Sequence, residues 1–251
     1  MKSKYLVLLI LSTIIFIYAC NPSKVMMRKA DSYTILYEKS LQNAMSPGPN
    51  KVYSNLVSIT SKNNSLAWKN INGEEYILVV AWKEDVSYFE PYLDSTYFNT
   101  GTHENWITTA PELLNRMKVE SYTDPTLRLK QLLGLPPNSS YKYFVEFWVR
   151  PTDLFRPCPD NEITDETCDL CFSKNTDSLY IKWINGNRIS RYYNCGEFDN
   201  YPWTQLGYTY DWNPTNTNHV GLSEFVIGKN KNIVVKEIYT TESYLQKNIT
   251  P

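Results

Sequence analysis

The stretch that decides the fold is Leu66–Trp82, LAWKNINGEEYILVVAW, in which two strand-like runs flank Asn72-Gly73. Both central positions of a tight two-residue hairpin turn need positive φ, which Asn-Gly tolerates best, so the pattern predicts an antiparallel pair. The same device recurs in LYIKWINGNRISRYY, around Asn185-Gly186. It predicts a second hairpin there, one bearing Trp183 as the first bears Trp68. The flanks differ otherwise, so the shared ING is read as convergent turn chemistry rather than a repeat.

Outward from the first hairpin, YKYFVEFWV (Tyr141–Val149) alternates Tyr141, Tyr143, Val145, Phe147 and Val149 on one face. Phe144 and Trp148 make the other face apolar as well, which predicts a central strand buried on both sides. EFVIG and NIVVKEIY read as two closing strands joined by the polar turn KNKN. Helices are expected between these strands. WITTAPELLNRM runs from a strand into a helix beginning near Pro111. DPTLRLKQLLGLPP has Asp124 as cap, Pro125 in the first turn, Gly134 as stop, and Pro136-Pro137 to forbid continuation. SYTILYEKSLQNAM places Tyr33, Leu36, Tyr37, Leu41, Ala44 and Met45 at helical spacing before SPGPN. The expected fold is α+β: a β-rich antiparallel or mixed sheet with two or three peripheral helices and a Cys-rich stapled loop.

The chain opens MKSKYLVLLILSTIIFIYAC, with Lys2 and Lys4 before an uncharged apolar run and Ala19 before Cys20. This pattern is that of a secretory signal peptide. IYAC resembles the lipobox of bacterial lipoproteins, and the resemblance implies cleavage before Cys20 and diacylglycerol on its sulfur. Two or three acyl chains hold a protein stably on a membrane, at about 0.8 kcal/mol per buried methylene. The expected organisation is a signal peptide over 1–19, a tether over 20–31 and one α+β domain over 32–251, with the Cys-rich loop at 151–178. Asn21 after the lipidated Cys, with no acidic run following, points to the outer membrane and its periplasmic face. Removing residues 1–19 leaves 23 Lys+Arg against 26 Asp+Glu, a balance of −3 that suggests no nucleic-acid partner. The partners expected are the membrane, through the lipid, and a glycan or envelope protein.

With Cys20 assigned to lipid, four thiols remain: Cys158, Cys168, Cys171 and Cys195. An even number in an exported protein reads most simply as two disulfides. Of three pairings, Cys158 with Cys168 and Cys171 with Cys195 are favoured. The alternatives are metals. Zinc is disfavoured because the spacing lacks paired CxxC knuckles. Calcium, on Asp160, Glu162, Asp165, Glu166 and Asp169, is disfavoured because Asp165 stands where an EF-hand loop needs Gly. CDLC matches a redox motif but lacks βαβ context. No metal is assigned.

His103 and His219 belong to no short catalytic motif, and the sequence has no GxSxG, P-loop or GxGxxG. Glu146, Asp153 and Asp211 are carboxylates of the type a glycoside hydrolase uses in pairs roughly 5 to 10 Å apart. The most suggestive segment is YPWTQLGYTYDWNP, with Tyr201, Trp203, Tyr208, Tyr210 and Trp212 interleaved with Thr, Gln and Asp. Aromatic faces beside hydrogen-bonding side chains suit sugar or protein recognition, although β-rich cores use the same residues.

WITTAPEL, LLGLPP, FVEFWVRPTDLFRPCPD, YPWTQLGYTYDW and GLSEFVI together resemble a set of uncharacterised bacterial proteins over about residues 97–240. TTAPEL opening a helix, a Leu-rich helix ending in Leu-Pro, a strand ending in PTDL and a late GLSEFVI are also similar in order to ADP-ribosyltransferase-like toxins. That resemblance implies NAD as cofactor, Glu224 as the ribose-orienting acid and His103 as a nicotinamide-side residue. The leading expectation is an envelope lipoprotein that binds a glycan or an envelope protein through an exposed aromatic surface over 201–214, with Trp203 and Trp212 on one open face; the transferase is the alternative.

Overall fold

A computed structural model describes residues 22–93, 97–196 and 199–248. The signal segment and Cys20 lie outside the described residues. The chain divides into two compact units, residues 1–35 and 36–251. Of the first unit, the described part is helical and belongs to α1 (Pro22–Ala44). The helix thus occupies the stretch expected to be a tether. Pro22 can occupy a first turn, and the Met, Arg, Lys and Ala residues that follow are good helix formers uninterrupted by Gly or Pro. Among the described residues no helix is long and apolar enough to cross a membrane.

The second unit is built on an eight-stranded antiparallel sheet. Its strands are β1 (Trp68–Ile71), β2 (Glu74–Lys83), β3 (Phe98–Asn99), β4 (Asn105–Thr109), β5 (Tyr143–Val149), β6 (Leu154–Phe155), β9 (Phe225–Ile227) and β10 (Asn232–Thr240). The order is β3-β10-β5-β2-β4-β9-β6, and β1 pairs with the first half of β2. The first Asn-Gly turn is as expected: Ile71 faces Glu74, and Asn72 and Gly73 hold φ of 54° and 86°. The run Tyr143–Val149 is central, hydrogen-bonded to β2 on one side and β10 on the other. The two closing strands form, but not with each other. β9 pairs with β4 and β6, whereas β10 pairs with β5 and β3.

Strand periodicity sorts the core onto the two faces of the sheet. Ile77, Val79, Ala81, Val145, Phe147, Val149, Phe225 and Ile227 pack on one face, with Phe98 of β3 and with Ile59, Leu66 and Phe89 from the connecting segments. Tyr76, Leu78, Val80, Trp82, Phe144 and Trp148 pack on the other, where the helices sit. These are α2 (Ala110–Val119), α3 (Pro125–Leu132) and α5 (Thr241–Leu245), contributing Leu113, Leu114, Met117, Leu129, Leu132 and Tyr244. Asp124 caps α3 by accepting from the Leu127 N–H at 3.0 Å, and Gly134 follows at φ 65°. A two-stranded sheet, β7 (Tyr208–Tyr210) with β8 (Val220–Ser223), lies beside α3.

The second Asn-Gly hairpin is not formed. Residues Ser178–Tyr192 are a helix, α4. Asp177 caps it by accepting from the Leu179 N–H at 2.8 Å. Tyr180, Trp183, Ile184, Asn187 and Arg191 fall at helical spacing and, with Ile181, Arg188 and Tyr192, are the less exposed positions. A cap and an inward stripe therefore outweigh the turn preference of Asn185-Gly186, which has no second strand to pair with.

The Cys-rich loop is stapled once. Cys158 and Cys168 form a disulfide with Cα atoms 6.4 Å apart, buried with Leu56, Leu206 and Tyr208. Arg156 anchors the same loop: its guanidinium donates to the carbonyl oxygens of Glu162 and Asp165 at 3.1 and 2.8 Å and lies over the Phe225 ring. The expected Cys171–Cys195 pair is absent, and both thiols are exposed. Helix α4 explains the difference. A hairpin over 179–193 would have returned Cys195 towards Cys171, whereas a 15-residue helix sets its two ends about 22 Å apart.

Candidate ligand-binding cavity

The three carboxylates offered by the sequence as catalytic pairs are structural. Glu146, fully buried in β5, accepts from Lys236 at 2.7 Å and Lys247 at 2.5 Å. Asp153 is held by Arg150 and Lys231 at 2.9 and 3.1 Å. Asp211 accepts two parallel bonds from Arg128, at 2.8 and 2.7 Å, and Arg128 in turn binds Glu120. Each is neutralised by a fixed cation.

The aromatic segment 201–212 does not form an exposed platform. Trp203, Tyr208, Tyr210 and Trp212 are buried, and only Tyr201 is half-exposed. Trp212 is a core residue, donating from Nε1 to the Leu135 carbonyl at 3.0 Å and meeting the Tyr37 ring edge-on. Tyr208 reaches the Lys51 carbonyl at 2.8 Å. The segment is enclosed on both sides: it runs along α3 into β7, and every residue from Pro202 to Trp212 is buried.

Three of the five candidates nevertheless meet at a cavity of about 290 Å³, whose walls include Tyr201, Trp203 and Tyr210. Strand pairing builds its floor. Val80 faces Thr108 across β2 and β4, so Val80, Trp82, Trp106 and Thr108 share the helix-bearing face of the sheet. Leu113 of α2 and Leu133–Leu135 after α3 close one side. Gly134 is required there. A Cβ at that position would come within 3.1 Å of the Tyr210 carbonyl, and its φ of 65° is left-handed.

Arg191, from α4, completes the wall. Its guanidinium lies 4.8 Å from the Trp106 ring centre and 5.1 Å from that of Tyr201, and its backbone carbonyl accepts from the Tyr201 N–H at 2.8 Å. The misread hairpin hid this residue, since only the helix brings position 191 over β4. Trp106 also stacks on Trp183 at 6.0 Å and meets Trp203 edge-on at 5.9 Å. Trp183 donates from Nε1 to Glu104 at 2.9 Å, and Lys229 stands 3.4 Å from the same carboxylate.

Glu224 joins β8 to β9 and lines the cavity. The residue is partly accessible, yet its Oε2 is sealed from solvent and has no hydrogen-bond partner. Burial raises its carboxyl to about 8, and the Arg191 charge offsets only part of that rise. The indole Nε1 of Trp203 is likewise buried and unpartnered. A buried polar group left without a partner costs about 1 to 3 kcal/mol. Two in one cavity are therefore a specific feature of the wall. His103, the other residue implied by the toxin resemblance, is exposed in the loop before β4 and is not part of the lining.

A second cavity, of about 350 Å³, lies against α2 and contains Glu112. Here the carboxylate is satisfied. It accepts from the Ser223 N–H and hydroxyl at 2.9 and 3.0 Å and from the Thr108 hydroxyl at 3.2 Å. Burial raises it to about 7, and those bonds hold the rise down. It fastens α2 to β8. Among the described residues no group of three or more His, Cys, Asp or Glu side chains is placed to hold a metal ion.

Compared with protein-family models, with curated proteins and with solved structures, the chain matches none.

Proposed function

We propose that the chain is an envelope lipoprotein, acylated at Cys20 and held at the periplasmic face of the outer membrane, whose folded body binds a short glycan fragment. The observation that carries the binding reading is the pair of buried, unpartnered polar atoms, Trp203 Nε1 and Glu224 Oε2, on residues of one aromatic-walled cavity. A sugar ring offers an apolar face to Trp and Tyr and hydroxyls to buried polar groups, so it matches both features of this wall. The cavity volume of about 290 Å³ suits one or two sugar units rather than a protein segment. The exposed aromatic platform expected from the sequence is replaced in this reading by an enclosed one.

Titration of the mature protein with peptidoglycan and lipopolysaccharide fragments, followed by intrinsic tryptophan fluorescence, tests the binding. Saturable quenching is expected, weakened at least tenfold in Tyr201→Ala. A panel that leaves the fluorescence unchanged sinks the reading. The anchor is tested separately: Cys20→Ala should retain its signal segment and lose the mass of the acyl chains.

The alternative, an ADP-ribosyltransferase-like enzyme using NAD, draws support from Glu224, which lines a cavity, and none from His103, which is exposed. NAD belongs in the same titration. Release of nicotinamide, abolished in Glu224→Ala, would favour it.

A further inference from the structure

The polar groups of the residues that wall this cavity are mainly donors, and two of the unpartnered atoms, Trp203 Nε1 and Glu224 Oε2, have no exposed surface in the wall as it stands, so a ligand meets them only with a shift of these side chains. Trp203 Nε1 can only donate. Arg191 can only donate, and its guanidinium, stacked between Trp106 and Tyr201, has no carboxylate within ion-pair distance among the described residues. Glu224 stands against apolar walls, where burial favours its protonated, donating form at neutral pH. The remaining carboxylate of the lining, Glu104, stands just before β4 and is already matched by Lys229 and by the Trp183 indole. Tyr141 and Tyr201 also face Arg191, and Tyr192 lies near Glu224; burial holds Tyr141 and Tyr192 in the neutral phenol form. Lys83 of β2 also lines the cavity, and burial pushes it down to about 8, but its ammonium donates to Asn105 at 3.1 Å and lies over the Phe89 ring, which belongs to the opposite face of the sheet. A cavity with an uncompensated cation and two further donors complements an anionic oxygen group, since charge-assisted bonds to it are about twice as strong as neutral ones.

We infer that the ligand of this cavity is an acidic sugar, whose carboxylate is received by Arg191, the Trp203 indole and the Glu224 carboxyl. This rests on the glycan reading above and adds the substrate class. Arg191 supplies the charge. Glu224 acts as a hydrogen-bond donor, and its titration therefore gates the site. Once Glu224 ionises, two carboxylates face one another and the ligand is expelled.

The test compares matched sugars, glucuronic acid against glucose and N-acetylmuramic acid against N-acetylglucosamine, by calorimetric titration of the intact protein. Each acid is expected to bind at least tenfold tighter than its neutral counterpart at pH 7. Arg191→Gln, checked for folding by near-ultraviolet circular dichroism, should erase that preference, each acid then binding no tighter than its neutral counterpart. Glu224→Gln keeps a donor that cannot ionise, so it should bind the acids at pH 7 and retain them at pH 9, where the natural chain weakens. Neutral sugars binding as tightly as their acids, or a preference that survives Arg191→Gln, overturns the inference and leaves the glycan reading standing. No binding by any of the four sugars, while larger envelope fragments still quench, also overturns it. Silence from both panels overturns the two readings together.

Discussion

At the scale of single residues, the buried carboxyls of Glu112 and Glu224 make stability depend on pH in a defined direction. Both hold their protons above the unfolded value of 4.5, to about 7 and about 8. Between pH 4.5 and those values the folded chain binds more protons than the unfolded chain, so stability falls as pH rises. Below pH 4.5 the contribution is complete. Denaturant midpoints across pH 5 to 8 should show this decline. Glu224→Gln should gain on the natural chain by up to about 1.4 kcal/mol per pH unit within its window. A difference that stays constant with pH would contradict the assignment. Gly207 supplies a steric prediction. At φ 74°, a Cβ there would come within 2.7 Å of both Arg156 Cδ and Cys168 Sγ. Gly207→Ala should therefore cost about 1 to 3 kcal/mol in urea unfolding, through overpacking and backbone strain. Nothing in the sequence marks this glycine, because its neighbours, Arg156 and Cys168, come from a distant loop.

Elements were legible where local signals agreed with their surroundings. The Asn72-Gly73 hairpin, the central strand at 143–149 and the capped helix after Asp124 each combine period, turn chemistry and boundary residues that favour one answer. Asn185-Gly186 favoured a different one, and the capping Asp177 with its inward stripe prevailed. The consequence reached the cavity, because Arg191 belongs to that helix and could not be placed without it. The buried Arg128–Asp211 pair is an element-level tie, joining α3 to the segment after β7. Asp211→Ala leaves the Arg128 charge with Glu120 alone and should cost about 3 to 5 kcal/mol, read from the denaturation midpoint. A loss below 1 kcal/mol would show that Glu120 and water compensate. The disulfide closes a short loop of the same order of importance. Replacing Cys158 and Cys168 together by Ala should cost about 2.8 kcal/mol on the loop-closure relation.

For the whole molecule, the fold class was legible because a strand period and a helix period leave few layered arrangements, whereas the pairing partners were not. β9 and β10 are neighbours in sequence yet join different parts of the sheet, a choice set by side-chain packing across both faces. The cavity was half legible. Aromatic density marked 201–212, but which members face a ligand and which fill the core depends on the strand they enter.

The sheet's two rims, β3 and β6, are each two residues long, and the outward positions of β1 carry Lys69 and Asn70. So short a row of unsatisfied amides and carbonyls gives a neighbouring copy almost nothing to zip onto, and a lysine discourages the rest. Many copies crowded side by side on one surface would therefore stay separate particles instead of growing into fibres.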